Sequence, residues 1–176
     1  DKRSELIGKL SSLSNVVAIT GDIHASYAGT PWVNDDPTKK IVELVGASIS
    51  SATFKSLLTS QVAADPVLSA IPGAAALALA IDGLFKAAGV NPHLGFADST
   101  KNGFVVVDVS AKEIVADYYR IKEEEVAKDH SGDKQADLDA LFEIATFKTV
   151  AGANELYMKQ ADDSFKKWNP TTGMYE

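Results

Sequence analysis

Asn15-Val16-Val17-Ala18-Ile19-Thr20-Gly21-Asp22-Ile23-His24-Ala25-Ser26-Tyr27 decides how the rest of the chain is read. Val16 to Thr20 is apolar and rich in β-branched side chains, the pattern of a central strand buried on both faces. Gly21 ends the run, because glycine turns the backbone sharply at no steric cost. Asp22 and His24 follow at the C-terminal end of that strand, where α/β proteins build their sites. In an extended segment a spacing of two places both side chains on one side. A carboxylate and an imidazole there suit a divalent or trivalent metal. The same two residues could equally be a strand-end cap and a histidine hydrogen-bonded beside it.

Working outward from this strand, Ser4 to Leu13 has Leu6, Ile7, Leu10 and Leu13 on one helical stripe, and Asn15 closes that helix. A helix before a buried strand predicts a layered α/β fold. Gly29 to Lys40 reads as a loop containing Pro31, Asn34, Asp35, Asp36 and Pro37, with Trp32 packing it down or lining a pocket. Ile41 to Val45 is a second buried strand ending at Gly46. The hydroxyl-rich Ala47 to Thr53 then caps a helix over about Thr53 to Val62. Ala70 to Ala88 is too interrupted, by Pro72-Gly73 and Asp82, to span a membrane, and predicts an Ala-rich helix in a core or interface. Gly89 to Lys101 is a loop carrying Asn91, His93 and Asp98. Gly103 to Val109 and Ile114 to Ile121 alternate as the strands of an antiparallel hairpin. In the second strand Ile114, Ala116, Tyr118 and Arg120 share one side. Arg120 suits anionic oxygens, but its place in the alternation fits an ordinary face position.

Glu123-Glu124-Glu125 and the polar stretch from Lys128 to Asp137, with His130, predict a solvated connector. Asp137 to Phe147 has the spacing of an amphipathic helix. The aromatic tail, with Tyr157, Phe165, Trp168 and Tyr175, is expected to dock on the body. These shifts divide the chain into 1–121 and 122–176.

Composition bounds the function. In 176 residues, 45% are hydrophobic and 23% charged, which fits a folded globular chain. The net charge of −7 disfavours nucleic acid and anionic membrane surfaces as partners. With no cysteine, disulfides, thiolate nucleophiles and cysteine-based zinc sites are excluded. The opening Asp1-Lys2-Arg3-Ser4-Glu5 carries neither Met nor the apolar segment of a signal peptide. The expectation is a processed chain or a piece of a longer one.

The block from Val16 to Tyr27 resembles the Gly-Asp-x-His motif of the PhoD-like alkaline phosphatases and phosphodiesterases, in the calcineurin-like metallophosphoesterase superfamily. Val42 to Ser51 is similar to that family's strand and serine-rich turn. Asn91 to Asp98, with Gly103 to Val109, is similar to its late segment and closing hairpin. The resemblance covers about residues 1–121 and implies the C-terminal part of a layered αββα sandwich. It implies hydrolysis of phosphate esters, monoester or diester. Asp22 and His24 would be metal ligands, with His24 also catalytic. Asn91 and His93, in the similar late loop, are candidate substrate contacts, although His93 could equally just cap the loop. The implied metals are calcium and ferric iron, other divalent ions being possible. The family's earlier metal motifs have no counterpart here, so the N-terminal half of the same protein is the expected partner. The resemblance also implies a secreted or periplasmic location. The rival expectation is a structural or interaction domain without a working site.

Overall fold

The computed structural model describes residues 2–33, 36–87 and 89–176. Expectations that fall on Asp1, Asn34, Asp35 and Ala88 lie outside the described residues.

The chain is mixed α/β. α1 (Lys2–Ser11) leads to β1 (Val17–Thr20), and β2 (Ser26–Gly29) follows the Asp22 loop. Of the predicted α1 stripe, Ile7 is buried while Leu6 and Leu13 are exposed. The expected loop over 29–40 is instead a short hairpin of β3 (Trp32–Val33) and β4 (Asp36–Lys40), which leads to β5 (Val42–Val45). With β6 (Leu94–Asp98) these form a sheet in the order β1-β5-β2-β6. β1 and β5 run parallel, and the other pairs are antiparallel. Part of the predicted 89–101 loop is therefore a strand.

β1 is not the central strand predicted. Among the described residues it pairs with β5 alone, and Ile19 is 61% exposed. The most buried strand is β2, on the other side of the site loop, with all four residues buried. An apolar run reports how side chains are covered, and it carries no signal for how many strands lie beside it.

A helical layer follows. α2 (Phe54–Ala64) has Thr53 as N-cap, its hydroxyl accepting from the Ser56 N–H at 3.3 Å. Pro66 holds Asp65 extended, which ends α2, and Asp65 then caps α3 (Pro66–Ala70). The expected Ala-rich helix is broken into α3, α4 (Ala74–Leu79) and α5 (Ile81–Phe85). Pro72 and the left-handed Gly73, φ 85°, make the break before α4. No described helix is long and apolar enough to cross a membrane.

The hairpin prediction holds: β7 (Lys101–Val109) pairs in unbroken antiparallel register with β8 (Glu113–Lys122). After α6 (Glu123–Val126) and α7 (Gln135–Asp139), the predicted 137–147 helix gives way to β9 (Glu143–Val150). Ala145, Phe147 and Thr149 alternate inward there, and a full-length β8 offers pairing from Arg120 to Glu113. Tertiary pairing overrides the helical spacing. β10 (Tyr157–Lys159), β11 (Phe165–Asn169) and β12 (Met174–Tyr175) complete a sheet in the order β12-β11-β10-β9-β8-β7. The aromatic tail thus docks as strands.

The main core lies between the two sheets. Ala28, Val42 and Leu44 from the first meet Ala116, Tyr118, Ala145, Phe147, Leu156 and Trp168. The Tyr118 hydroxyl donates to the Tyr27 carbonyl at 3.0 Å, and the Trp168 indole N–H to the Pro92 carbonyl at 3.0 Å. On the other face of the first sheet, Ala25, Tyr27, Val45 and Ala97 pack against Phe54 and Phe85 of the helical layer.

Candidate active site

Parallel strands deliver their C-terminal ends to one edge, and the loops after β1 and β5 meet there. The Gly46 N–H donates to the Thr20 carbonyl at 3.0 Å, bringing Gly21–His24 beside Gly46–Thr53. This edge is where open α/β sheets hold ligands.

The backbone of the first loop is not extended. Asp22 has φ 74° and His24 has φ 58°, both left-handed. The same-side argument for their side chains therefore fails. Asp and His are among the few residues that enter this region readily, yet the conformation is held only where neighbours fix it. Here the Phe54 N–H donates to the His24 carbonyl at 2.9 Å. On the ring, His24 Nδ1 lies 2.8 Å from the Ala52 carbonyl oxygen. A carbonyl only accepts, so this network assigns the proton to Nδ1 and, in the neutral ring, a free lone pair to Nε2. A backbone carbonyl on one imidazole nitrogen is the usual partner of a histidine that ligates through the other. Asp22 is exposed on the same loop.

The second loop is held by residues absent from the sequence-based expectations. Asn102, 1% exposed, donates from Nδ2 to the Ser51 carbonyl at 2.7 Å, and also lies 3.2 Å from the Ser48 carbonyl and 3.1 Å from its hydroxyl. The Gly103 N–H donates to the Ser48 carbonyl at 3.0 Å, and the Ser48 hydroxyl to the Ser51 carbonyl at 3.0 Å. Glu123, expected on a solvated face, reaches the N-terminus of α2. One oxygen accepts from the Thr53 N–H at 3.2 Å; the other accepts from the Thr53 hydroxyl at 3.0 Å and from Ser56. Burial pushes the Glu123 carboxyl up, but the bonds from Ser56 and Thr53 outweigh it and hold the group below the usual carboxylate range. Nothing local to residues 102 or 123 signals these contacts, since each partner lies at least fifty residues away in sequence.

The remaining candidates lie elsewhere. Gly29 pairs with Leu94, so His93 and Asn91 sit at the far end of β2 from His24. Across Ser26–Gly29 that is about 10 Å of strand. His93 stands edge-on to Trp32, centroids 5.6 Å apart, and Asn91 donates to the Phe85 carbonyl at 3.2 Å. Burial, then the Arg3 charge, pull the His93 imidazole below its ordinary value. The structure therefore does not bring Asn91 or His93 to Asp22. Arg120 faces protein: Nη1 lies 2.6 Å from Asp98, which Lys101 and Thr100 also contact. His130 is bonded to Asp133 at 2.7 Å and to the Glu125 carbonyl at 3.1 Å, a local turn clamp rather than a free surface group.

Asp22 and His24 supply one oxygen and one nitrogen donor, a set that fits part of a metal shell. Among the described residues, no three His, Asp or Glu side chains converge to hold an ion.

A family model described as PhoD-like phosphatase matches residues 1–118, about two thirds of the chain. No curated protein matches, and no solved structure does.

Proposed function

The chain belongs to the PhoD-like phosphatase family, and from that premise we propose that it forms the Asp22–His24 corner of a metal-dependent phosphoric ester hydrolase. The observation that carries the reading is the His24 ring: Nδ1 is committed to the Ala52 carbonyl, which leaves Nε2 as the nitrogen able to bind. The Asp22 carboxylate would hold a metal ion, and His24 Nε2 would hold a metal ion or contact the phosphate. Calcium and ferric iron are the metals the family resemblance implies, and an oxygen donor such as Asp22 suits calcium. When bound, such ions supply positive charge that polarises a phosphoryl oxygen and acidifies a water.

In this proposal the other donors come from the N-terminal half of the same protein. That half extends the sheet beyond the free edge of β1, where Ile19 is exposed, to complete an αββα sandwich. Residues 1–121 form the C-terminal portion of the phosphatase domain, with 122–176 packed on it. Export to the periplasm or medium follows from the family resemblance. Asn91 and His93, at the far end of β2, are not assigned to the site. The exposed apolar edge also favours a second reading, a domain that docks in a larger assembly without catalysis.

One experiment separates the two. The native protein is analysed for mass and metal, and assayed on an aryl phosphate. Hydrolysis that falls more than about 100-fold in Asp22→Ala and in His24→Ala, with bound metal lost, supports the hydrolase; outer-shell partners alone are worth 10- to 100-fold. Undiminished hydrolysis in both variants refutes the assignment, and a metal-free protein without hydrolysis favours the docking domain.

A further inference from the structure

The geometry points to Glu123 as a positioning residue for His24, acting through the single peptide group that joins Ala52 and Thr53. The Thr53 N–H and the Ala52 carbonyl belong to one planar trans unit, and they point to opposite sides of it. Glu123 accepts from the N–H at 3.2 Å, and His24 Nδ1 donates to the carbonyl at 2.8 Å. A carboxylate, a peptide and an imidazole thus form one hydrogen-bonded chain.

Two physical consequences follow. The first is orientation: turning the 52–53 peptide breaks both bonds, so the Glu123 bond locks the carbonyl that selects the His24 tautomer. The second is polarisation. A negative charge on the N–H side makes the carbonyl a stronger acceptor, and chains of hydrogen bonds reinforce one another in this way.

The sequence makes Glu123 necessary. Thr53 is the N-cap of α2 and is 1% exposed, so its own N–H needs a partner. A Glu three residues into a helix ordinarily reaches back to the N-cap N–H. In α2 that position is Ser56, which is too short, and Glu123 takes the role from α6. The Ser56 and Thr53 hydroxyls also donate to the carboxylate. The sequence-distant carboxylate is therefore built into the cap and reaches the site loop.

This inference rests on the reading that His24 Nε2 is the functional nitrogen, but its test does not use activity. The ring nitrogens of His24 are followed by nitrogen-15 NMR in the whole protein. The native ring should be the Nδ1–H tautomer. In Glu123→Ala the ratio of Nδ1–H to Nε2–H should fall about fivefold, the effect of losing one hydrogen bond of ordinary net strength. Glu123→Gln keeps an oxygen for the Thr53 N–H but loses the charge, so the ratio should fall by less than in Glu123→Ala. Ser56→Ala removes another partner of the same carboxylate without touching the peptide, and should leave the ratio unchanged. An unchanged ratio in Glu123→Ala overturns the inference, as does an equal loss in Ser56→Ala. Should Glu123→Ala not fold, Glu123→Asp keeps the charge but shortens the reach by one methylene, and the same roughly fivefold fall is expected. Full hydrolysis by His24→Ala would refute the proposed function while leaving this link intact.

Discussion

Replacing Asn102 tests whether the turn beside the site is held by one amide. Asn102 Nδ2 has two hydrogens spread over the Ser51 carbonyl, the Ser48 carbonyl and the Ser48 hydroxyl. Asn102→Ala removes about two hydrogen bonds, each worth about 1 kcal/mol net. Two corrections oppose each other. Asn102 Oδ1 is buried without a partner among the described residues, and removing it recovers some of its desolvation cost. The void left by the amide costs a similar amount. A net loss of about 2 kcal/mol is expected.

Asn102→Asp sharpens the test, because it changes almost no volume. A carboxylate oxygen then replaces the donor and faces two carbonyls and a hydroxyl that already donates elsewhere. An unpaired buried charge costs about 3–5 kcal/mol. Asn102→Asp should therefore be the less stable variant at pH 7. Burial raises the folded pKa of the new carboxyl above its unfolded value. Its penalty is thus present above the folded pKa and relieved as pH falls through it, so the two variants should converge in acid. Urea denaturation at pH 7 and pH 5 measures the order, and amide exchange over Ser48–Phe54 locates the loosening. An Asn102→Asp protein as stable as Asn102→Ala at pH 7 would refute the donor assignment.

Two other perturbations have definite signs. In Gly103→Ala the new Cβ would stand 1.9 Å from the Tyr119 carbonyl oxygen, at φ 155°; a loss of more than about 3 kcal/mol in thermal or urea unfolding is expected, combining overpacking with backbone strain. Arg120→Met strips Asp98 of its closest charge partner. Burial raises the Asp98 carboxyl, but bonds from Thr100, the Lys101 charge and Arg120 outweigh it and hold it below the usual range. A depressed carboxylate stabilises the fold above its unfolded pKa and loses that contribution as pH falls through the folded value. Acid unfolding should therefore begin at higher pH in Arg120→Met, as followed by circular dichroism.

Much of the fold was legible because its signals are local. Thr53 before an amphipathic run marks the start of α2, and strict alternation marks β7 and β8. The failures have one cause, a pattern compatible with two structures. Leu138, Leu141, Phe142 and Ala145 have helical spacing, yet Ala145, Phe147 and Thr149 alternate as well. β8, already fixed by its turn to β7, offered an unpaired edge that settled the choice as β9. The β1 reading failed differently. Val16 to Thr20 is written for burial, and in the described residues Ile19 is not buried. A buried-strand pattern around an exposed side chain is a mismatch between local sequence and its surroundings. That mismatch is why the proposed function gives the β1 edge to the N-terminal half.

The site shows where sequence reasoning stops. Residue type and place were legible: a glycine after an apolar run, then a carboxylate and an imidazole at a strand end. The geometry was not, because two left-handed residues replace the extended path, and alternation then predicts nothing about direction. What aims His24 is the Ala52 carbonyl, set by a helix cap that closes on Glu123 seventy residues later. A charged run reads as solvent-facing because most such runs are, and only the fold shows that its first member meets a buried cap. In the proposed function the donors of this corner are near neighbours in sequence, while the contacts that aim His24 come from distant residues. Asp22 and His24 are therefore the residues to change when the question is hydrolysis, and Asn102 and Glu123 when the question is how the corner holds its shape.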